Sequence, residues 1–111
     1  MSYELQECVY HIDLEDPNSY VGRPTLKVAL LTLARHANDE GDVQGISRSQ
    51  LMRESGIRGR SYWGSTMNVL ERLGWLDRIA GRGAGNHSVY LLDAEKMRHT
   101  ADLYVGLRRV S

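Results

Sequence analysis

The chain has 111 residues, 41% of them hydrophobic and 25% charged, values ordinary for a globular domain and inconsistent with a disordered, collagenous or coiled-coil chain. The length suits one domain spanning residues 1–111 and leaves no room for two substantial ones. One cysteine, Cys8, excludes an intrachain disulfide framework and a multi-cysteine zinc site, and points to a reducing cytoplasm. Met1-Ser2-Tyr3-Glu4 carries no basic region and no apolar run, so no signal peptide is expected. The most apolar stretch, Val28 to Ala34, is far shorter than the ~20 residues that cross a bilayer.

The net charge of zero conceals an uneven distribution. Residues 1–40 hold three bases against seven acids, residues 41–90 seven arginines against four acids, and residues 91–111 four bases against three acids. Twelve of the fourteen basic residues are arginine, whose planar fork suits bidentate contact with phosphate and guanine. A GC-rich genome would produce the same bias, so position must separate the two explanations.

Along the chain, residues 3–14 fit two patterns. His11 to Leu14 alternates like a short strand, whereas Leu5, Cys8, Val9 and Ile12 suit a helix. Asp16-Pro17-Asn18-Ser19 reads as a turn and Gly22-Arg23-Pro24 as a second break. A helix then opens at Pro24 or Thr25, with Leu26, Ala29, Leu30, Leu33 and Ala37 forming one apolar stripe. Asn38 to Asp42 stops it, and a short extended piece carries Ile46. Ser47-Arg48-Ser49-Gln50 reads as a capping box, the serine capping the third amide and the glutamine reaching back. The helix it opens carries Leu51 and Met52 and ends at Ser55-Gly56 with a left-handed glycine.

A further helix is expected from near Ser61. It buries Trp63, Met67, Leu70 and Leu73, keeps Val69 at the edge and closes at Gly74. Gly64 inside it is unfavourable relative to alanine, which suggests close approach to a neighbour. Trp75 to Ala80 and Ser88 to Leu92 are strands around a glycine-rich hairpin tip, Gly81 to His87. Asp93 caps a last helix in which Met97, Ala101, Tyr104, and Leu107 or Arg108, share one face.

Two helices joined by a tight glycine turn, the second running into a β-hairpin, give the element order of a winged helix-turn-helix. The expected class is therefore α+β, with a three-helix core, a hairpin wing (residues 20–92 together) and a C-terminal helix at 93–111 as a possible dimerisation element. With Trp63, Met67 and Leu70 facing inwards, the opposite side of the third core helix carries Arg60, Ser61, Tyr62, Ser65 and Asn68. Such side chains suit a major groove, asparagine pairing with adenine and arginine with guanine. Arg48, Arg58 and Arg82 are placed to meet phosphates, with Asn86 and His87 beside Arg82 at the wing tip.

The run Thr25-Leu26-Lys27-Val28-Ala29-Leu30-Leu31-Thr32-Leu33-Ala34-Arg35-His36-Ala37-Asn38-Asp39-Glu40-Gly41 resembles the opening helix of the winged helix-turn-helix domains of phage and plasmid replication initiators. Ser47 to Gly56, Val69 to Leu76 and the wing Gly81 to Leu92 continue the likeness, which covers about residues 20–92. MarR-type regulators share the element order. The chain departs from the family pattern in having Arg58-Gly59-Arg60 where a serine or threonine cap is usual. The resemblance implies binding to double-stranded DNA.

Other chemistry is weakly supported. Gly81-Arg82-Gly83-Ala84-Gly85 precedes a strand, whereas a dinucleotide fingerprint must open a helix. His11, His36, His87 and His99 are scattered without metal-ligand spacing, and Cys8 reads as a small buried hydrophobe. No metal, cofactor or enzymatic activity is expected. Trp63 and Trp75 read as core, the alternative being base stacking on single strands.

The reading is a sequence-specific double-stranded DNA-binding protein. It is either a transcription repressor or a plasmid or phage origin- or centromere-binding accessory factor, since a whole initiator carries further domains. A homodimer through the last helix is expected, with the acidic N-terminal third turned away from DNA. The alternative is a protein-interaction winged helix that never touches DNA.

Overall fold

Ser2 decides the ambiguous first segment: its Oγ accepts from the Leu5 amide at 3.1 Å, and helix α1 follows over Tyr3–Tyr10. The computed structural model describes residues 2–79 and 89–110, and the side chains of these up to residue 103. After α1 come α2 (Arg23–Arg35), β1 (Asp42–Val43), α3 (Arg48–Ser55), α4 (Arg60–Arg72), β2 (Leu76–Ile79), β3 (Val89–Leu92) and α5 (Ala94–Val110). The described residues form an α+β structure of five helices and one antiparallel sheet of three strands, ordered β1-β3-β2.

The predicted stripe of α2 is buried throughout. Leu26, Ala29, Leu30, Leu33 and Ala37 are all fully inaccessible. Thr32 joins them because its hydroxyl donates to the Val28 carbonyl at 2.8 Å within the helix, so this buried polar group is matched. Helices α1, α3 and α4 all pack on α2. The sheet meets it through β3, whose Tyr90 and Leu92 are buried.

Strands β2 and β3 pair in the expected antiparallel sense, with Leu76 opposite Leu92 and Ile79 opposite Val89. The hairpin tip, with Arg82, Asn86 and His87, lies outside the described residues. The third strand comes from Asp42 and Val43, opposite Leu91 and Tyr90, a few residues before the extended piece expected at Ile46. Two residues are too short to show an alternating pattern. Gly41 makes the pairing possible. It has φ of +96° and a β-carbon there would run into the Leu92 carbonyl, while its own carbonyl accepts from Leu92 N at 2.8 Å.

Several local expectations are refined. Ser47 caps α3 by accepting from Gln50 N at 3.1 Å, but the Gln50 side chain turns forward to Glu54 Oε2 at 2.9 Å because a carboxylate one turn ahead is the stronger acceptor. Gly56 ends α3 in the left-handed conformation with φ of +81°. Helix α4 buries Trp63, Met67 and Leu70 as read, buries Val69, expected at the edge, adds Thr66 and leaves Leu73 only half-buried. Thr66 is buried because its hydroxyl donates to the Tyr62 carbonyl at 2.7 Å. Gly64 meets nothing within 4 Å, so close approach does not explain it.

Asp93 Oδ1 accepts from Lys96 N at 3.0 Å, capping α5, and Lys96 Nζ donates to the Leu73 carbonyl at 2.6 Å while lying 4.2 Å from the Trp75 ring centre. The described part of the apolar stripe of α5 is covered by its own chain. Met97 is fully buried and Ala101 nearly so, with α5 packed on α1 and Arg98 bound to Glu4. A twin subunit is therefore not needed to shield these two side chains, which removes the argument for a dimer through them. The side chain of Tyr104 lies outside the described ones.

Trp63 fills the centre of the core at 2% exposure. Trp63→Ala should lower stability by about 3–5 kcal/mol in urea unfolding. Gly41→Ala should cost about 1–3 kcal/mol from its backbone conformation, before the Leu92 carbonyl is displaced. Equal urea midpoints for wild type and Gly41→Ala would contradict the β1–β3 geometry.

Candidate functional site

Helix α4 begins without a side-chain cap. Gly59 occupies the capping position and offers no hydroxyl or carboxylate, so the first-turn amides lack a side-chain cap, and Arg60 and Ser61 beside them are exposed. Free amides and the helix dipole favour an anion there. Between α3 and α4 lies a cleft of about 470 Å³ lined by Ser49, Met52, Arg53, Ile57, Arg58 and Arg60.

Apart from Arg35, exposed at the end of α2 and in no ion pair, the described arginines divide into two sets. Arg23 holds Glu15 and Asp13, Arg72 holds Asp16, Arg78 holds Glu71 and Arg98 holds Glu4. Arg48, Arg53, Arg58 and Arg60 are exposed and have no carboxylate partner among the described residues. The cause is compositional: from Val43 to Leu70 the sequence contains one acid, Glu54. That acid is engaged elsewhere. Glu54 Oε1 lies 2.7 Å from His36 Nε2, and the His36 contact and then the Gln50 hydrogen bond hold the Glu54 carboxyl below its ordinary range. Its charge is spent on α2, leaving the α3–α4 face positive.

Arg53 belongs to this face and was not among the residues singled out from the sequence. The available signal was the scarcity of acids between residues 43 and 70, which marks every arginine there as unneutralised.

The outer face of α4 beyond Ser61 differs from expectation. Tyr62 is half-buried: its hydroxyl donates to Thr25 Oγ1 at 3.3 Å and its ring stacks on Tyr20, centroids 5.8 Å apart and planes inclined by 25°. Ser65 is also half-buried, its Oγ 2.6 Å from the Tyr20 hydroxyl. Asn68 is exposed, but its side-chain carbonyl accepts from Arg78 of β2. Tyr62 and Ser65 are thus not free on the outer face, and Asn68 retains only its NH2 group for a partner. The residues responsible, Tyr20 and Arg78, are 45 and 10 positions away from those they engage.

The segment 16–20, part of the acidic third of the chain, meets α4 through Asp16 and Tyr20. Its acid is neutralised. Asp16 accepts from Arg72 and from the Asn18 amide, and these two bonds, the Arg72 one first, hold its carboxyl below the ordinary range.

The remaining chemistry is structural. Trp75, like Trp63, is buried, so neither offers a ring for base stacking. Burial, then the Glu4 charge, pushes the Cys8 thiol up, which disfavours the thiolate. Among the described residues no group of three or more His, Cys, Asp or Glu side chains could hold a metal ion, and no helix is long and apolar enough to cross a membrane. Comparisons with protein-family models, with curated proteins and with solved structures gave no match.

The Asp16–Arg72 pair makes a pH-dependent contribution. The folded carboxyl is the stronger acid, so its stabilisation is fully present above the unfolded value of about 4 and is lost as pH falls below it. Asp16→Asn should lower the urea midpoint near neutral pH. The gap from wild type should narrow as pH falls below about 4 and through the lower folded-state value. A gap of constant size across this range would exclude the ion pair as its source.

Proposed function

We propose that α3, the turn 56–59 and α4 act as a helix-turn-helix with β2–β3 as its wing, and that the chain binds double-stranded DNA. The observation that carries this reading is the set of unneutralised arginines. Arg53, Arg58 and Arg60 border one cleft and Arg48 opens α3, while of the other described arginines Arg23, Arg72, Arg78 and Arg98 are in ion pairs and Arg35 alone is not. A protein gains nothing in folding from crowding unpaired guanidiniums, whereas a phosphate backbone rewards them by releasing its counterions. The uncapped α4 amides add donors at the same place. In this reading Arg48, Arg53 and Arg58 position the protein on phosphates, and Arg60 and Ser61 reach base edges from the first turn of α4. Arg82, Asn86 and His87 extend the contact from the wing tip. A repressor and an origin- or centromere-binding accessory factor would use this same surface.

Binding to a random duplex, followed by anisotropy across a salt series, tests the reading. Arg53→Ala and Arg58→Ala should each reduce the slope of log K against log salt by about one, and Arg60→Ala should cost about 1–3 kcal/mol on a selected site. Asn68→Ala should relax the preference at one or two base pairs. Salt-insensitive or absent binding would favour a protein-interaction module on this face.

A further inference from the structure

The face of α4 that would enter a groove is overlaid at its centre by a residue from another part of the chain. Ser61, Ser65 and Asn68 follow one another at helical spacing, and Tyr20 sits on the middle one, its hydroxyl 2.6 Å from Ser65 Oγ. Its ring stacks on Tyr62, yet Tyr20 remains 72% exposed. The segment that presents it is fixed at several points. Asp16 binds Arg72 and accepts from the Asn18 amide at 3.0 Å, Ser19 Oγ accepts from Val21 N at 3.1 Å, and Val21 is buried at 2%.

Resting on the DNA-binding reading above, we propose that Tyr20 is a specificity-determining residue. It is the aromatic side chain that meets the duplex at the centre of α4, in place of Tyr62 and Ser65. Tyr62 has its hydroxyl on Thr25 and one face against Tyr20. Ser65 has its hydroxyl on Tyr20. A phenol has both donor and acceptor capacity, so after bonding to Ser65 the Tyr20 hydroxyl keeps one further position for a base edge or phosphate oxygen. Two supports hold the ring before binding, so little rotamer entropy is lost when the duplex arrives. The acids of the same segment do not repel a phosphate strongly, since Asp16 is paired with Arg72 and Glu15 with Arg23.

The test compares wild type, Tyr20→Ala and Tyr20→Phe by anisotropy on a duplex recovered from a random pool, alongside random duplex over a salt series. Tyr20→Ala should lose about tenfold or more on the selected duplex, as loss of one good base contact does. Its salt slope on random duplex should stay that of wild type, because no charge is removed. Tyr20→Phe keeps the stack, and a changed base preference in it assigns the contact to the hydroxyl, whereas wild-type behaviour assigns it to the ring. If Tyr20→Ala retains wild-type affinity and motif, or binds more tightly, the proposal is overturned, and tighter binding would make the segment a cover. Should Tyr20→Ala fail to fold, Tyr20→Leu, which still covers the Tyr62 ring, is read by the same outcomes. Wild type that binds no duplex defeats the DNA reading and this proposal together. Duplex binding that needs Arg58 and Arg60 but is indifferent to Tyr20 defeats this proposal alone.

Discussion

Burial of α2 is the constraint on which the other elements depend. A thirteen-residue helix whose Leu26, Ala29, Leu30, Leu33 and Ala34 are all inaccessible cannot be covered by one neighbour, because its apolar surface spreads over a wide arc. Three helices and a strand surround it. Each presents a matching stripe: Leu5, Val9 and Ile12 from the N-terminal segment, Leu51 from α3, Trp63, Met67 and Leu70 from α4, Tyr90 and Leu92 from β3. The orientation of α4 follows from this. With Trp63, Met67 and Leu70 turned to α2, the opposite side faces solvent at Arg60 and Ser61 and meets Tyr20 at Tyr62 and Ser65.

Charge is sorted along the same lines. The N-terminal third contributes Glu4, Asp13, Glu15 and Asp16, and these meet Arg98, Arg23 and Arg72. Those pairs join α1 to α5 and the segment before α2 to the end of α4. The one acid between residues 43 and 70 lies on the flank of α3 that faces His36 at the end of α2. What remains is a positive edge running from the start of α3 across the turn to the start of α4. Exposed ion pairs contribute little to stability individually, so the arrangement matters more for the field it leaves than for the folding energy it supplies.

The two parts of the outer face of α4 are consequently unlike. The first turn, with Arg60 and Ser61, is open and electropositive. The rest of the outer face, from Tyr62 to Arg72, is tied to distant parts of the chain through Tyr20, Arg78 and the Asp16–Arg72 pair.

Much of the architecture could be read directly from residue order. The apolar spacing of α2 and α4, the Ser47 cap, the left-handed Gly56 and the two longer strands each follow from rules that act within a few residues. The scarcity of acids around α3 and α4 was equally legible, and it carries Arg48, Arg58 and Arg60 as well as Arg53. Only the tertiary structure decided the rest. Pairing of β1 with β3 depends on Gly41 meeting a carbonyl 51 positions away in the sequence, and two residues leave no periodicity to detect. Covering of Met97 and Ala101 depends on α1, whose own pattern fitted either a strand or a helix. The withdrawal of Tyr62 and Ser65 behind Tyr20 depends on a contact across 45 residues. Local patterns report what a residue does to its own backbone and face; which side chains share that face is set by how the segments pack around α2.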